Sequence, residues 1–142
     1  MAAISIGSGV TMKSSTGTLI VGKAGATGIV AGSAIYKKVT DNKWYLAVAT
    51  VDMSSTSVVA DMGVAVAPAD AIDDAVLAVT GRNSVIDLGV ALTDKSKFYL
   101  INSTPGAIAE YGDVTGSTYL SWWGYADGAN FVFAPSATGK TK

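Results

Sequence analysis

The chain has no histidine and no cysteine, one glutamate (Glu110) and one arginine (Arg82). Histidine is the usual proton shuttle near neutral pH and the commonest metal ligand. Cysteine supplies nucleophiles, structural zinc sites and disulfides. Without either, most hydrolase, oxidoreductase and zinc-protein mechanisms lose their chemistry, and a disulfide scaffold is excluded. Charge is scarce as well: 15% of residues carry it, against roughly 25% in an average soluble protein. The net charge is −1, and no basic patch stands ready to neutralise a phosphate backbone, so nucleic acid is not an expected partner. Apolar runs fall far short of the roughly 20 residues that cross a bilayer, so no membrane partner is expected either. Met1 to Val10 has neither a basic start nor a continuous apolar stretch, so it does not read as a signal peptide.

What is present is sheet-forming. Hydrophobic residues make up 49% of 142 residues, enough for one domain with a real core. With so few charges, the surface is expected to be small and neutral or to be covered by another subunit. Residues 1–29 hold six glycines and no aromatic residue. Glycine raises the entropy cost of ordering, so this stretch reads as an N-terminal arm that pairs with a neighbour. Its strand candidates are Ile4–Ile6 and Thr18–Val21. Residues 30–142 read as the β-rich domain.

From Val30 on, strand patterns alternate with turn residues. Ser33–Val39, Lys43–Thr50, Val58–Ala67, Ala75–Thr80, Val85–Leu92, Lys97–Asn102, Tyr119–Tyr125 and Phe131–Ala134 give about eight short antiparallel strands, a small sandwich or barrel. Asp41-Asn42 is the expected turn of a hairpin, with Trp44 and Leu46 on one face and Tyr45 and Ala47 on the other. Pro68–Asp74 reads as a single helical turn, with proline at its first position. A weak repeat links Lys43-Trp44-Tyr45-Leu46 to Lys97-Phe98-Tyr99-Leu100, Gly63-Val64-Ala65 to Gly124-Tyr125-Ala126, and Thr80-Gly81 to Thr138-Gly139. It suggests a duplicated β unit.

Three motifs invite chemistry. Ala134–Thr141 matches a relaxed phosphate-binding loop, but no helix follows to present its N-terminus, so the match reads as coincidence. Asp70, Asp73 and Asp74 form an acidic cluster without the spacing of a calcium loop, which reads as a solvated turn. Tyr119, Trp122, Trp123 and Tyr125 crowd four aromatics into seven residues. A strand this dense shows aromatics on both faces, so some pack in the core and others serve an interface or a sugar-binding platform. No catalytic residue, metal ligand or cofactor emerges, and the chain is not expected to be an enzyme.

One resemblance rests on the order of several elements. These are Val30-Ala31-Gly32-Ser33-Ala34-Ile35-Tyr36-Lys37, the hairpin to Trp44-Tyr45-Leu46-Ala47, Gly89-Val90-Ala91-Leu92, Lys97-Phe98-Tyr99-Leu100 through Thr104-Pro105-Gly106-Ala107-Ile108, and Gly124-Tyr125-Ala126 before a last apolar strand. Over roughly residues 30–135 the order resembles the small decoration (cement) and head-fibre proteins of tailed bacteriophages. It departs at Lys97-Phe98, where tyrosine is usual. The resemblance implies a non-enzymatic virion protein on the capsid exterior, made in the host cytoplasm. It also implies the major capsid protein as partner, a homotrimer, and no catalytic residues. The expected interface residues are Ile4, Ile6, Leu19, Ile20, Val21, Tyr119, Trp122, Trp123 and Tyr125. A tail or fibre component and a carbohydrate-binding β module remain the alternatives.

Overall fold

The computed structural model describes residues 9–13, 17–90, 92 and 97–142; Ile4 and Ile6 lie outside them. It is all-β. The described residues form eleven strands rather than eight: β1 Thr11–Met12, β2 Leu19–Lys23, β3 Ala34–Lys38, β4 Trp44–Leu46, β5 Val59–Ala65, β6 Ala75–Val79, β7 Ser84–Asp87, β8 Phe98–Ile101, β9 Ile108–Ala109, β10 Tyr119–Asp127 and β11 Asn130–Thr141. A single 3-10 turn covers Tyr111–Asp113.

Two antiparallel sheets pack as a sandwich, and each comes from one half of the chain. The first half gives the order β2-β6-β5-β3-β4, and the second gives β7-β11-β10-β8-β9 with β1 added beside β7. The two orders are the same: in each half the first strand lies beside the fifth, the fifth beside the fourth, the fourth beside the second, and the second beside the third. Gly63 in β5 and Gly124 in β10 therefore occupy equivalent strands, as the weak repeat suggested. The tetrapeptides do not, because β4 is the third strand of its half and β8 the second.

The sheets enclose a shared core. Ala34, Tyr36, Val64 and Val79 from the first sheet meet Ile86, Tyr99, Ile101, Trp123, Phe131 and Phe133 from the second. Trp123 Nε1 donates to the Gly63 carbonyl at 3.1 Å, tying β10 to β5 through the core. A second core lies on the other face of the five-stranded sheet, where Ile35, Trp44, Ala65, Val76 and Ala78 are buried under Ala24, Ile29 and Ala69. That sheet curls until Ala24 bridges Trp44, with Gly25 N donating to Trp44 O at 2.8 Å, but it does not close into a barrel.

The arm is corrected at its described residues. β2 pairs with β6 over Leu19–Lys23, β1 pairs with β7, and Val10, Ala24 and Ile29 are buried. The glycines that suggested flexibility serve close packing. A Cβ on Gly22 would lie 2.5 Å from Trp44 Nε1, and one on Gly25 would lie 2.2 Å from the Tyr45 ring.

Pro68–Asp74 forms a turn rather than a helical one. Asp73 takes φ +71°, outside the helical region, and Asp74 Oδ2 accepts the N–H groups of Asp70 and Ala71. β4 ends at Leu46, so Ala47 and Ala49 leave the sheet and enter the shared core. β7 ends at Asp87, whose side chain accepts from Gly89 N at a φ of +73°. β11 runs seven residues past the expected Ala134 to Thr141. β7 pairs with β11 only at Phe131–Phe133, so Pro135 falls where one edge of β11 is free and its missing N–H costs no ladder bond.

Candidate functional site

The outer face of the six-stranded sheet holds the largest aromatic cluster outside the cores. Its position follows from a bulge. The register of β10 shifts between Trp122 and Gly124 against both neighbours, and a Cβ at Gly124 would meet Val132 O at 2.1 Å. Across the shift Trp122 and Tyr125, three apart in sequence, share the outer face, while Trp123 and Ala126 turn into the core.

Cross-strand register then builds two rows. One runs Val85, Val132, Tyr125, Phe98 across β7, β11, β10 and β8. The other runs Ser136, Trp122, Leu100, Ala109 across β11, β10, β8 and β9. Val132, Leu100 and Ala109 are buried, and Phe98 is 56% exposed. Phe98 stands edge-on to Trp122 at 6.1 Å and 85°, and tilts against Tyr125 at 5.7 Å and 53°. With Ala134, Ser136 and Arg82 these rings line a shallow, mostly apolar groove of about 400 Å³. Arg82 is the one charged residue among the described residues that line it, and its Nη2 donates to the Pro135 carbonyl. A neighbouring depression adds Lys97, paired with Glu110 at 3.2 Å, and Tyr111, which carries Lys142 Nζ 4.5 Å above its ring.

Comparison with protein-family models, characterised proteins and solved structures finds no match to the chain.

The expected interface residues divide. Trp122 and Tyr125 line the groove. Trp123 is wholly buried, a core residue rather than a surface one. Tyr119 sits at the far end of β10 opposite Thr141, away from the other aromatics. Leu19 and Val21 are 46% and 71% exposed on β2, the edge strand of the other sheet, while Ile20 packs onto the second core. Phe98 and Arg82 were not anticipated. Phe98 was legible in principle, since Phe98-Tyr99-Leu100-Ile101 places large apolar residues on both faces of a strand.

Ala134–Thr141 is extended within β11, and no phosphate-cradling loop forms there. The acidic cluster is used locally: Asp73 pairs with Lys43 at 2.8 Å, and Asp74 holds the turn. This pair belongs to a polar and aromatic group at the β3–β4 hairpin. Tyr45 donates its hydroxyl to Asp41 at 2.5 Å, and Lys38 Nζ lies 3.9 Å above the Tyr45 ring. The Tyr45 hydroxyl and the Lys43 N–H lower the Asp41 carboxyl, and the Lys43 ammonium lowers that of Asp73. The Asp41 hydrogen bond raises Tyr45, burial raises Tyr36, and Asp73 raises Lys43.

These shifts set the pH profile. The lowered aspartates contribute stability above the ordinary carboxyl value of 3.8, and this is lost as pH falls through their lowered values. The raised tyrosines and lysine contribute below their ordinary values of 10.0 and 10.5, and this is lost as pH rises through the raised ones. With no histidine or cysteine, the melting temperature should be nearly flat between about pH 5 and pH 9. Asp41→Asn with Asp73→Asn should flatten the acid limb. A thermal transition midpoint that moves sharply between pH 6 and pH 7 would contradict this assignment.

Proposed function

We propose that the chain is a structural virion protein that decorates the exterior of a tailed-phage capsid and braces its lattice, docking through the outer face of the six-stranded sheet. The observation that carries the reading is the groove of Phe98, Trp122 and Tyr125, an apolar aromatic face left open in a chain with little charge. Large aromatics that are desolvated at the centre of an interface supply most of its binding energy. The order of sequence elements over roughly residues 30–135 supports the same reading.

The major capsid protein is the proposed partner, and a homotrimer is the proposed assembly. The exposed Leu19 and Val21 edge offers a second surface for subunit contact. No cofactor and no catalytic step enter the proposal.

The aromatic cluster also raises the carbohydrate-binding alternative. The Phe98 ring plane crosses those of Trp122 and Tyr125 at 85° and 53°, so the three rings do not make one flat platform. The groove they line with Ala134 and Ser136 suits a protein side chain laid against them. Mass analysis of purified particles of a phage carrying the gene tests the reading. The chain should be found in intact virions at a copy number set by the capsid lattice. Its absence from virions, together with strong binding on a glycan array, would replace this proposal with the carbohydrate one.

A further inference from the structure

The two halves share one strand order but differ in how their outer faces are covered. In the first half the β2–β3 connection, residues 24–33, and the β5–β6 connection, residues 66–74, fold over the sheet. Ala24, Ile29 and Ala69 from these connections are buried against it. The two connections hold each other: Ala69 N donates to Ile29 O at 2.8 Å, and Asp73 N donates to Ala24 O at 2.8 Å. They close the row formed by Ile20, Ala78 and Ala65.

The second half lacks this cover among the described residues. The connection equivalent to residues 66–74 is the two-residue turn Gly128-Ala129 between β10 and β11. In the connection equivalent to residues 24–33, Leu88, Val90 and Leu92 pack into the shared core and away from the outer face. Val132, Leu100 and Ala109 in the rows Val85-Val132-Tyr125-Phe98 and Ser136-Trp122-Leu100-Ala109 are buried, but Phe98 is 56% exposed and Trp122 and Tyr125 are partly exposed. No such connection covers these three rings among the described residues, on a face whose counterpart is a closed core.

We propose that this face is built to receive an extended apolar segment of a partner protein, which supplies from outside what residues 24–33 and 66–74 supply in the first half. The inference rests on the docking reading above and names its ligand. The segment presents a branched aliphatic residue beside a small one, as Ile29 lies beside Ala69, so that the aliphatic side chain lies in the groove against Phe98, Trp122 and Tyr125. It carries an acidic residue at one side. Arg82 is the charged residue of the groove, gives one nitrogen to Pro135 O, and makes no ion pair among the described residues. A carboxylate is the complement that accepts from its remaining N–H groups.

The three tryptophans make the test direct. Trp44 and Trp123 are wholly buried and Trp122 is partly exposed, so quenching of tryptophan fluorescence by acrylamide reads Trp122. A random-peptide display library is selected on the immobilised full-length chain, and the enriched peptides are synthesised. They should share an aliphatic–small pair with a neighbouring acid and protect Trp122 from acrylamide. Trp122→Ala should weaken them by about thirtyfold or more. Arg82→Glu should weaken those with the acid by roughly tenfold. Both variants should melt as the parent does, which separates lost docking from lost folding.

The inference is overturned if no peptide is enriched, if enriched peptides leave Trp122 accessible, or if they bind both variants as well as the parent. It is also overturned if soluble oligosaccharides protect Trp122 and peptides do not. Peptides that bind as described, in a chain absent from virions, would uphold the groove and refute the virion reading. A chain that decorates capsids equally well with Trp122→Ala would do the reverse.

Discussion

A chain that begins at residue 30 should not fold. Removing residues 1–29 takes away β2, a ladder of five registered pairs with β6. It also takes Ala24 and Ile29, both wholly buried, from over Trp44, Ile35 and Val76. Each ladder hydrogen bond contributes about 1 kcal/mol net, and burial of the Ile29 side chain about 1.5–3 kcal/mol. Trp44 and Val76 would then face water as well. The total exceeds about 5 kcal/mol, the lower end of a domain's whole stability. Circular dichroism of the truncated chain should show no cooperative thermal transition. A melt close to that of the full chain would mean that residues 9–29 are dispensable to the fold and that the arm reading was right.

That reversal marks where sequence reasoning stops. Glycines at 17, 22, 25 and 28 read locally as loose chain. Two of them matter because of rings that lie about twenty residues away, Trp44 against Gly22 and Tyr45 against Gly25. No local pattern announces such a contact. Where the signals are local, most of the expected strands and the structure agree closely, β4 and β7 ending early. Ser33–Val39, Val58–Ala67 and Ala75–Thr80 fall within one or two residues of β3, β5 and β6, because alternation and turn residues bound them. The Asp41-Asn42 turn forms with Asn42 at φ +58° and Lys43 N bonded to Asp41. The far half of β11 was hidden because Pro135, Ser136, Thr138 and Gly139 read as a loop; its pairing with β10 overrides that composition.

The candidate site was legible in composition and not in geometry. Dense aromatics in β10 had to occupy both faces. Strict alternation would have put Trp123 with Tyr125, but the bulge at Gly124 puts Trp122 with Tyr125 instead.

Adjacent tryptophans should consequently fail in opposite ways. Trp123→Ala should cost about 4 kcal/mol, the upper range for emptying a buried aromatic site. It opens a cavity among Phe133 and its neighbours and leaves the Gly63 carbonyl without its indole donor. At roughly 3 °C per kcal/mol for a domain of this size, the melting temperature should fall by about 10 °C or more. Trp123→Phe keeps most of the volume and loses the hydrogen bond, for about 1 kcal/mol from that bond. Trp122→Ala should cost far less, about 1 kcal/mol, because its ring is only partly buried, on the outer face, and fills no enclosed core site. Thermal melts of the three variants check the contrast. If Trp122→Ala destabilises as much as Trp123→Ala, the outer face is part of the core and no docking surface exists there.

The most direct test of the central proposal is co-sedimentation of the purified chain with capsids of a phage that carries its gene, comparing the parent with Trp122→Ala. The parent should pellet with the particles and saturate at a fixed number of copies. Trp122→Ala, equally folded, should stay in the supernatant. A parent chain that ignores the capsids, or a variant that pellets with them as well as the parent, would contradict the account.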